Sequence, residues 1–194
     1  MAIAEFTESG FDFDFSEAVA VSRYDETALH KTMTGTLSGT KGVDFLICGA
    51  QLLTFVEVKS FTHGGTKPID ELVDDLMAKL WGSLAGTLVM GLKGTDSIGE
   101  RLISELGNAF RLGVQSNLGL WFIFWFESHQ RMTGGPKKAA HHCGQYQKKL
   151  EKKLKWFPGK ILVINRQLYL ANKDRYDQLT GLRDVRESAG RSTP

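Results

Sequence analysis

Three charged residues lie inside apolar runs near the middle of the sequence, where ionised side chains are costly. Asp44 interrupts the run Val43–Cys48, and Glu57 and Lys59 interrupt the run Leu52–Phe61. A buried charge needs a partner or a function. Two carboxylates beside an ammonium are the groups that bind a divalent cation and act on a phosphate ester. These three residues are therefore the first candidates for chemistry.

The two apolar runs predict a β-hairpin that places the three charges on one face. A tight turn centred on Gly49-Ala50 sets Asp44 opposite Phe55. Because side chains alternate along a strand, Glu57 and Lys59 share that face. Asp44 and Glu57 then become diagonal neighbours, at ~7–8 Å between backbones.

Two converging carboxylates predict a divalent-cation site. Asp44 and Glu57 would bind Mg²⁺, which prefers oxygen ligands, and the carbonyl of Val58 would complete the shell. The cation would activate water and neutralise charge on a phosphodiester. Lys59 would orient or deprotonate the attacking water, or stabilise the charge that develops on the phosphorane.

This arrangement resembles the PD-(D/E)XK nuclease family, which has the restriction-endonuclease-like fold. The matching residues are Asp44 and, thirteen positions later, Glu57-Val58-Lys59, and Ser60 is similar to the serine of archaeal Holliday-junction resolvases. The likeness spans Ser16–Trp81, although Val43 replaces the proline that names the family. The resemblance implies a mixed sheet flanked by helices, dependence on Mg²⁺ or Mn²⁺, and cleavage of DNA.

The resemblance also implies a further acidic ligand on the first helix. Glu17 matches this ligand, and Glu26 competes for the role. The alternative interpretation of Glu17 is a surface acid near the start of a helix, where negative charge is favoured.

The segment Pro136–Phe157 predicts an amphipathic helix with a strongly basic outer face. It contains seven lysines and a single acid, Glu151. Six of the lysines are candidate contacts to DNA phosphates: Lys137, Lys138, Lys148, Lys149, Lys152 and Lys153. A lysine face that binds phosphates and one that is only solvated are equal alternatives at this point.

The cysteines and histidines have structural explanations. Cys48 and Cys143 fit apolar patterns and are expected to be buried, and so few cysteines suit a reducing cytoplasm. His141 and His142 beside Cys143 diverge by ~100° per residue on a helix and are not expected to share a metal.

The most apolar stretch, Leu118–Phe126, predicts a central strand covered on both faces rather than a surface for base stacking. It is too short to cross a membrane, which takes ~20 residues. Glu127 and His129 follow it and could approach the site.

The elements that must position these residues alternate between helix and strand. Helices are expected over Ser16–Leu29, Ile69–Trp81, Ile98–Leu112 and Pro136–Phe157. Gly82–Gly94 fits either a helix continuation or a strand, and Thr32–Gly42 a loop or frayed hairpin. Beyond the hairpin, strands are expected over Leu118–Phe126, Ile161–Ile164 and Gln167–Leu170. This order predicts an α/β fold with a mixed central sheet flanked by helices.

Length and composition are those of an ordinary globular protein. The chain has 194 residues and a net charge of +2, which is too mild to indicate a nucleic-acid binder by itself. We expect one domain over residues 1–172 and a polar, loosely held tail over 173–194. Without a visible secretory signal, a soluble cytoplasmic protein is expected.

The function expected from these observations is a Mg²⁺-dependent deoxyribonuclease, most simply an endonuclease, and a homodimer or a partner protein would suit the size of the chain. The alternative is a non-catalytic nucleic-acid-binding or assembly subunit that keeps the fold. Buried charges have no physical reason to persist in a retired site, which favours the enzyme.

Overall fold

The computed structural model describes residues 5–15, 18, 20–36, 40–49, 52–61, 68–94, 119–128, 135–180 and 182–188. Within these ranges the strands are β1 Glu5–Glu8, β2 Phe11–Asp14, β3 Ala20–Arg23, β4 Phe45–Cys48, β5 Leu52–Ser60, β6 Gly119–Glu127, β7 Lys160–Ile164 and β8 Asp184–Glu187. The helices are a 3₁₀ turn over Tyr24–Glu26, α1 Ala28–Thr36, α2 Ile69–Lys93, α3 Gly135–Lys153, α4 Arg166–Ala171 and α5 Lys173–Thr180.

The central sheet has five strands in the order β3-β4-β5-β6-β7. The β3–β4 and β4–β5 pairs are antiparallel, whereas β5–β6 and β6–β7 are parallel. The strand β6, Leu-Trp-Phe-Ile-Phe-Trp-Phe after its first glycine, lies second from one edge and is buried on both faces over most of its length. The expected mixed α/β sheet flanked by helices is therefore confirmed.

The hairpin of β4 and β5 forms in a register two residues away from the expected one. Phe45 pairs with Val56, so facing residue numbers sum to 45 + 56 = 101 rather than 99. The reason is the turn: the Gly49 N–H donates to the Leu52 carbonyl oxygen at 2.8 Å, which centres the turn one residue later. A shift of two preserves the face of every side chain, because the strand period is two.

The two faces of the central sheet are covered by different layers. One face packs against α2 and α3, through apolar side chains such as Leu76 and Tyr146. The other packs against α4 and against a three-stranded antiparallel sheet in the order β1-β2-β8. This second sheet was not predicted, although the sequence Phe-Asp-Phe-Asp-Phe from Phe11 to Phe15 alternates as a half-buried strand should. The stretch from Lys173, expected as a loose tail, contains α5 and contributes β8 to this sheet.

The helix expected over Ser16–Leu29 is wrong. Ala20–Arg23 is a strand that pairs with β4, so pairing at the edge of the sheet outweighs the roughly helical spacing of apolar residues. The loop expected over Thr32–Gly42 is also partly wrong, because α1 extends to Thr36. The Thr32 hydroxyl donates to the Ala28 carbonyl at 2.9 Å, which satisfies a threonine within a helix.

Two further elements differ from expectation. Gln167–Leu170 is not a strand but part of α4, whose first turn is capped by Asn165: its side-chain oxygen accepts from the Leu168 N–H at 2.9 Å. The ambiguous stretch 82–94 continues α2, which ends at Gly94 with φ 64°. The expected helix over Ile98–Leu112 lies outside the described residues.

The helices α2 and α3 lie side by side and run in the same direction. Two ion pairs, one helical turn apart, join their surfaces: Asp70–Lys149 and Asp74–Lys153. Just beyond the end of α3, Trp156 packs edge to face against Trp81 of α2. In the part of the chain that the structure describes, no helix is both long and apolar enough to span a lipid bilayer.

Candidate active site

The structure brings Asp44, Glu57 and Lys59 together on the face of the central sheet that α2 covers. Asp44 immediately precedes β4, and extending the hairpin register by one residue places it directly opposite Glu57. The Asp44 Oδ2 atom accepts a hydrogen bond from the backbone N–H of Val58 at 2.7 Å. This bond fixes the Asp44 carboxylate against the strand that carries the other two residues.

Glu57 is the centre of the cluster and is fully buried, with no exposed surface. Its Oε1 atom lies 2.6 Å from the ammonium nitrogen of Lys59 and 2.7 Å from that of Lys79. Its Oε2 atom is also buried and has no hydrogen-bond partner among the described residues. A buried carboxylate is tolerated only when it is compensated, and here two lysines compensate one oxygen of Glu57.

Lys79 is a residue of the cluster that sequence reasoning missed. It comes from α2, and its ammonium lies 3.8 Å from Asp44 Oδ1 as well as 2.7 Å from Glu57 Oε1. The sequence did carry a signal. Leu72, Leu76 and Ser83 are buried on α2, and Lys79 continues the same stripe at helical spacing. Because a buried ammonium needs a compensating charge, a lysine on the buried face of a helix predicts a carboxylate opposite it.

Burial and the closeness of the two carboxylates shift the pKa values of the cluster. Burial, together with the nearby Glu57 carboxylate, raises the pKa of Asp44 to about 7, although Lys79 and the Val58 N–H act in the opposite direction. Burial disfavours the charged form of Lys59, but the Glu57 carboxylate outweighs burial and raises the pKa of Lys59. In the metal-free protein Lys59 is therefore a charged donor at neutral pH.

The exposed fraction differs sharply across the cluster. The side chain of Lys59 is 30% exposed, that of Lys79 16% and that of Asp44 9%. Lys59 is therefore the side chain of the cluster that is most accessible to solvent, and the two acids are the least accessible.

Of the two candidates for an extra acidic ligand, only Glu26 lies within the described part of the chain. Glu17 lies outside the described residues. Its competitor Glu26 is 55% exposed and its carboxylate pairs with Arg23 at 2.8 Å. Arg23 of β3 also pairs with Glu8 of β1 at 3.0 Å, so the three-stranded sheet is tied to the edge of the central sheet near this site.

His30 is a second buried polar group that the sequence did not single out. It is 7% exposed, its ring lies 5.2 Å from that of Tyr24, and its Nδ1 atom has no hydrogen-bond partner among the described residues. Burial lowers the pKa of His30, against the charge of Asp25, and the charge of Lys79 lowers it further. His30 is therefore neutral at physiological pH.

The basic face of α3 is less uniform than its sequence implies. Lys149 pairs with Asp70 at 2.8 Å and Lys153 pairs with Asp74, so the compensating acids come from α2 rather than from α3 itself. Lys148 and Lys152 are exposed and have no ion-pair partner within the described ranges. Lys137 and Lys138 lie exposed in the first turn of the helix.

The structural explanations of the cysteines and the aromatic strand are confirmed. Cys48 and Cys143 are free and buried. The rings of Phe122 and Phe126 are fully buried in the core, and only the first three residues of β6 and its last residue are partly exposed. Glu127 does not join the site, because its carboxylate accepts from the Arg166 N–H at 2.6 Å, at the start of α4. His129 lies outside the described residues.

The donor set fits a divalent cation. Among the described residues no group of three or more His, Cys, Asp and Glu is placed to hold a metal. Asp44 and Glu57 nevertheless present two hard carboxylates, one with a buried oxygen that lacks a donor. The raised pKa of Asp44, caused first by burial and then by the Glu57 carboxylate, shows that its charged form is poorly stabilised in the metal-free protein. A cation with oxygen preference, held by two carboxylates and by water, would satisfy both observations.

Comparison with protein-family models, with curated proteins and with solved structures found no match to this chain.

Proposed function

We propose that the chain is a metal-dependent nuclease that hydrolyses phosphodiester bonds in DNA, with the restriction-endonuclease-like fold and Mg²⁺ or Mn²⁺ as its cofactor. The observation that carries the proposal is the buried Glu57 carboxylate, opposite Asp44 and within 2.6 Å of Lys59. The order of these residues along the chain resembles the PD-(D/E)XK motif. A cytoplasmic location is part of the proposal, because both cysteines are free thiols.

The roles follow from position and charge. Asp44 and Glu57 would hold the cation, with the Val58 carbonyl as an additional ligand. A divalent cation bound there supplies Lewis acidity toward water and toward a phosphodiester oxygen. Lys59, charged and the most exposed of the four, would donate to the phosphate oxygen on which negative charge increases.

One observation favours a second candidate, a non-catalytic nucleic-acid-binding or assembly subunit. Two carboxylates and two ammonium groups lie together in the cluster, so the site is balanced in charge without any cation. Such a cluster could serve only to fix α2 against the sheet. The enzyme and the subunit differ in whether the cluster binds a metal.

The test is one set of incubations. Supercoiled, linear, single-stranded and branched DNA would be mixed with the wild type and with Glu57→Gln, with and without Mg²⁺. Glu57→Gln keeps the shape of the side chain and removes its charge. Lys41→Met serves as the matched control, since Lys41 pairs with Asp75 on α2 outside the cluster.

The proposal expects cleavage that needs Mg²⁺, is retained in Lys41→Met and is lost in Glu57→Gln. Isothermal calorimetry should show Mg²⁺ binding in the wild type and its loss in the same variant. A folded wild type that neither cuts any of the four DNAs nor binds Mg²⁺ or Mn²⁺ would leave the subunit as the better explanation.

A further inference from the structure

The position of Lys79 relative to the two acids is the starting observation. Its ammonium nitrogen lies 2.7 Å from Glu57 Oε1 and 3.8 Å from Asp44 Oδ1. A cation held between Asp44 Oδ1 and Glu57 Oε1 needs that same space, because Mg²⁺ lies only ~2.0–2.1 Å from its oxygen ligands. The ammonium and a bridging metal ion cannot both occupy it.

The charge of the cluster leads to the same conclusion. With Asp44 and Glu57 ionised and Lys59 and Lys79 protonated, the formal charges cancel. A divalent cation added to this set would leave two uncompensated positive charges around Glu57, which has no exposed surface. Uncompensated charge in a buried place is costly, so a cation is bound far better if one ammonium withdraws.

Lys79 is the ammonium that can withdraw at small cost to the fold. Its backbone is fixed within α2, where its carbonyl accepts from the Ser83 hydroxyl at 2.9 Å. Its side chain has a flexible four-carbon stem and is 16% exposed, so part of it already contacts solvent. Lys59 has a role in the proposed chemistry, whereas Lys79 has none that the geometry requires.

We infer that Lys79 is an internal competitor of the divalent cation: its ammonium bridges Asp44 and Glu57 in the metal-free protein and leaves them when a cation binds. The inference rests on the proposed function, because it presupposes that the two carboxylates bind a metal. Lys79 therefore sets the concentration of free Mg²⁺ or Mn²⁺ at which the site is half occupied. In the metal-free protein its ammonium also holds the two carboxylates close together.

The first test is the affinity for Mg²⁺ and for Mn²⁺, measured by calorimetry on the whole chain without DNA. Lys79→Met, which keeps the length of the stem and removes the charge, should lower the Kd by about tenfold or more, because a competing charge within about 4 Å is removed. Lys79→Arg keeps the charge and should not bind more tightly than the wild type. Lys41→Met removes an ion pair of the same helix and should leave the Kd unchanged.

The second measurement needs only the wild type, and so it does not depend on the folding of any variant. Lysines are labelled by reductive methylation and each site is quantified by mass spectrometry, with and without Mg²⁺. Labelling of Lys79 should increase several-fold when Mg²⁺ is added, while that of Lys41 stays constant.

The outcomes separate the two proposals. If the wild type binds Mg²⁺ or Mn²⁺ but Lys79→Met binds no more tightly, or if Mg²⁺ leaves the labelling of Lys79 unchanged, Lys79 is not a competitor and the nuclease proposal stands. If neither the wild type nor a folded Lys79→Met binds either cation, the metal site itself is refuted and the inference with it.

Discussion

Gly82 of α2 lies against the backbone carbonyl of Lys41, so closely that a methyl group on Gly82 would overlap the carbonyl oxygen. Lys41 is three residues before Asp44, and Gly82 is three residues after Lys79. Next to this contact, the Val43 N–H donates to the Ser83 hydroxyl at 2.8 Å. Together the two contacts set the distance between α2, which carries Lys79, and the segment before β4, which carries Asp44.

Gly82→Ala should be strongly destabilising. The added methyl group meets backbone, which cannot turn away as a side chain can, and overpacking of this kind costs ~1–3 kcal/mol or more. Gly144→Ala on α3 is the control, because a methyl group there has nothing within 4 Å. It should stabilise the protein by roughly 0.5–1 kcal/mol through helix propensity. Urea unfolding of both variants measures the difference, and equal effects would show that α2 can move away from Lys41.

The raised pKa of Asp44 predicts that, in the absence of metal, the free energy of unfolding decreases as the pH rises. Its pKa is about 7 in the folded protein, against a usual value of 3.8. Between about pH 4 and about pH 7 the folded state keeps a proton that the unfolded chain has released, so the free energy of unfolding decreases with pH and levels off above that range.

Urea unfolding across this pH range, with a chelator present, should show the decrease in the wild type after subtraction of the Asp44→Asn curve. The subtraction matters because the lowered pKa of His30 acts in the opposite direction, removing stability as the pH falls below its usual 6.5. Parallel curves for the wild type and Asp44→Asn would contradict a raised pKa of Asp44.

The ion pairs between α2 and α3 predict that the lysines of α3 are not equivalent toward DNA. Replacing Lys148 and Lys152 with glutamine should weaken binding and reduce the slope of log K against log salt by up to ~0.9 per lost phosphate contact. Replacing Lys149 and Lys153, which are held by Asp70 and Asp74, should change the slope less. Fluorescence anisotropy of a labelled duplex over a salt series compares the two double variants with the wild type. Equal reductions in both would contradict the difference between the lysines, and slopes unchanged from the wild type would leave α3 as a solvated face.

The Trp81–Trp156 pair is exposed, at 62% and 44%, yet the two rings meet edge to face at 5.3 Å. A double-mutant cycle with alanine at both positions should give a coupling free energy of ~0.5–1.5 kcal/mol. Leu92→Ala, at an exposed position of the same helix, should change stability little. A coupling free energy near zero would mean that the two side chains do not hold α2 and α3 together.

The part of the site that lies within one hairpin could be predicted from the sequence, because it depends only on alternation. Asp44, Glu57 and Lys59 share a face for any register of the right parity, so an error of two residues in the turn did no harm. Lys79 depends on how α2 crosses the sheet. That crossing is set by packing such as the Gly82–Lys41 contact, which no local pattern encodes.

The strands that the sequence patterns did not predict also depend on contacts with distant parts of the chain. Ala20–Arg23 becomes a strand because β4 offers it an edge, and the short segment has no strong preference of its own. The alternation from Phe11 to Phe15 was readable as a strand, but its partner, Asp184–Glu187, lies at the far end of the described chain. Sequence patterns indicate local structure well and say little about such distant pairing.

The pairing of β2 with β8 has a consequence for synthesis. Ser188 and Asp12 share a hydrogen bond across 176 residues of chain, and Val185 faces Phe13. All strands of the central sheet precede β8 in the chain, so that sheet can assemble while β2 has only β1 as a neighbour. Phe13 packs edge-on against Trp125 at 5.3 Å, so this aromatic surface has its finished cover only after β8 has left the ribosome. A chain without residues 182–188 would leave this aromatic surface partly uncovered and open to chaperones and to other chains, so its tendency to aggregate would depend on the arrival of β8.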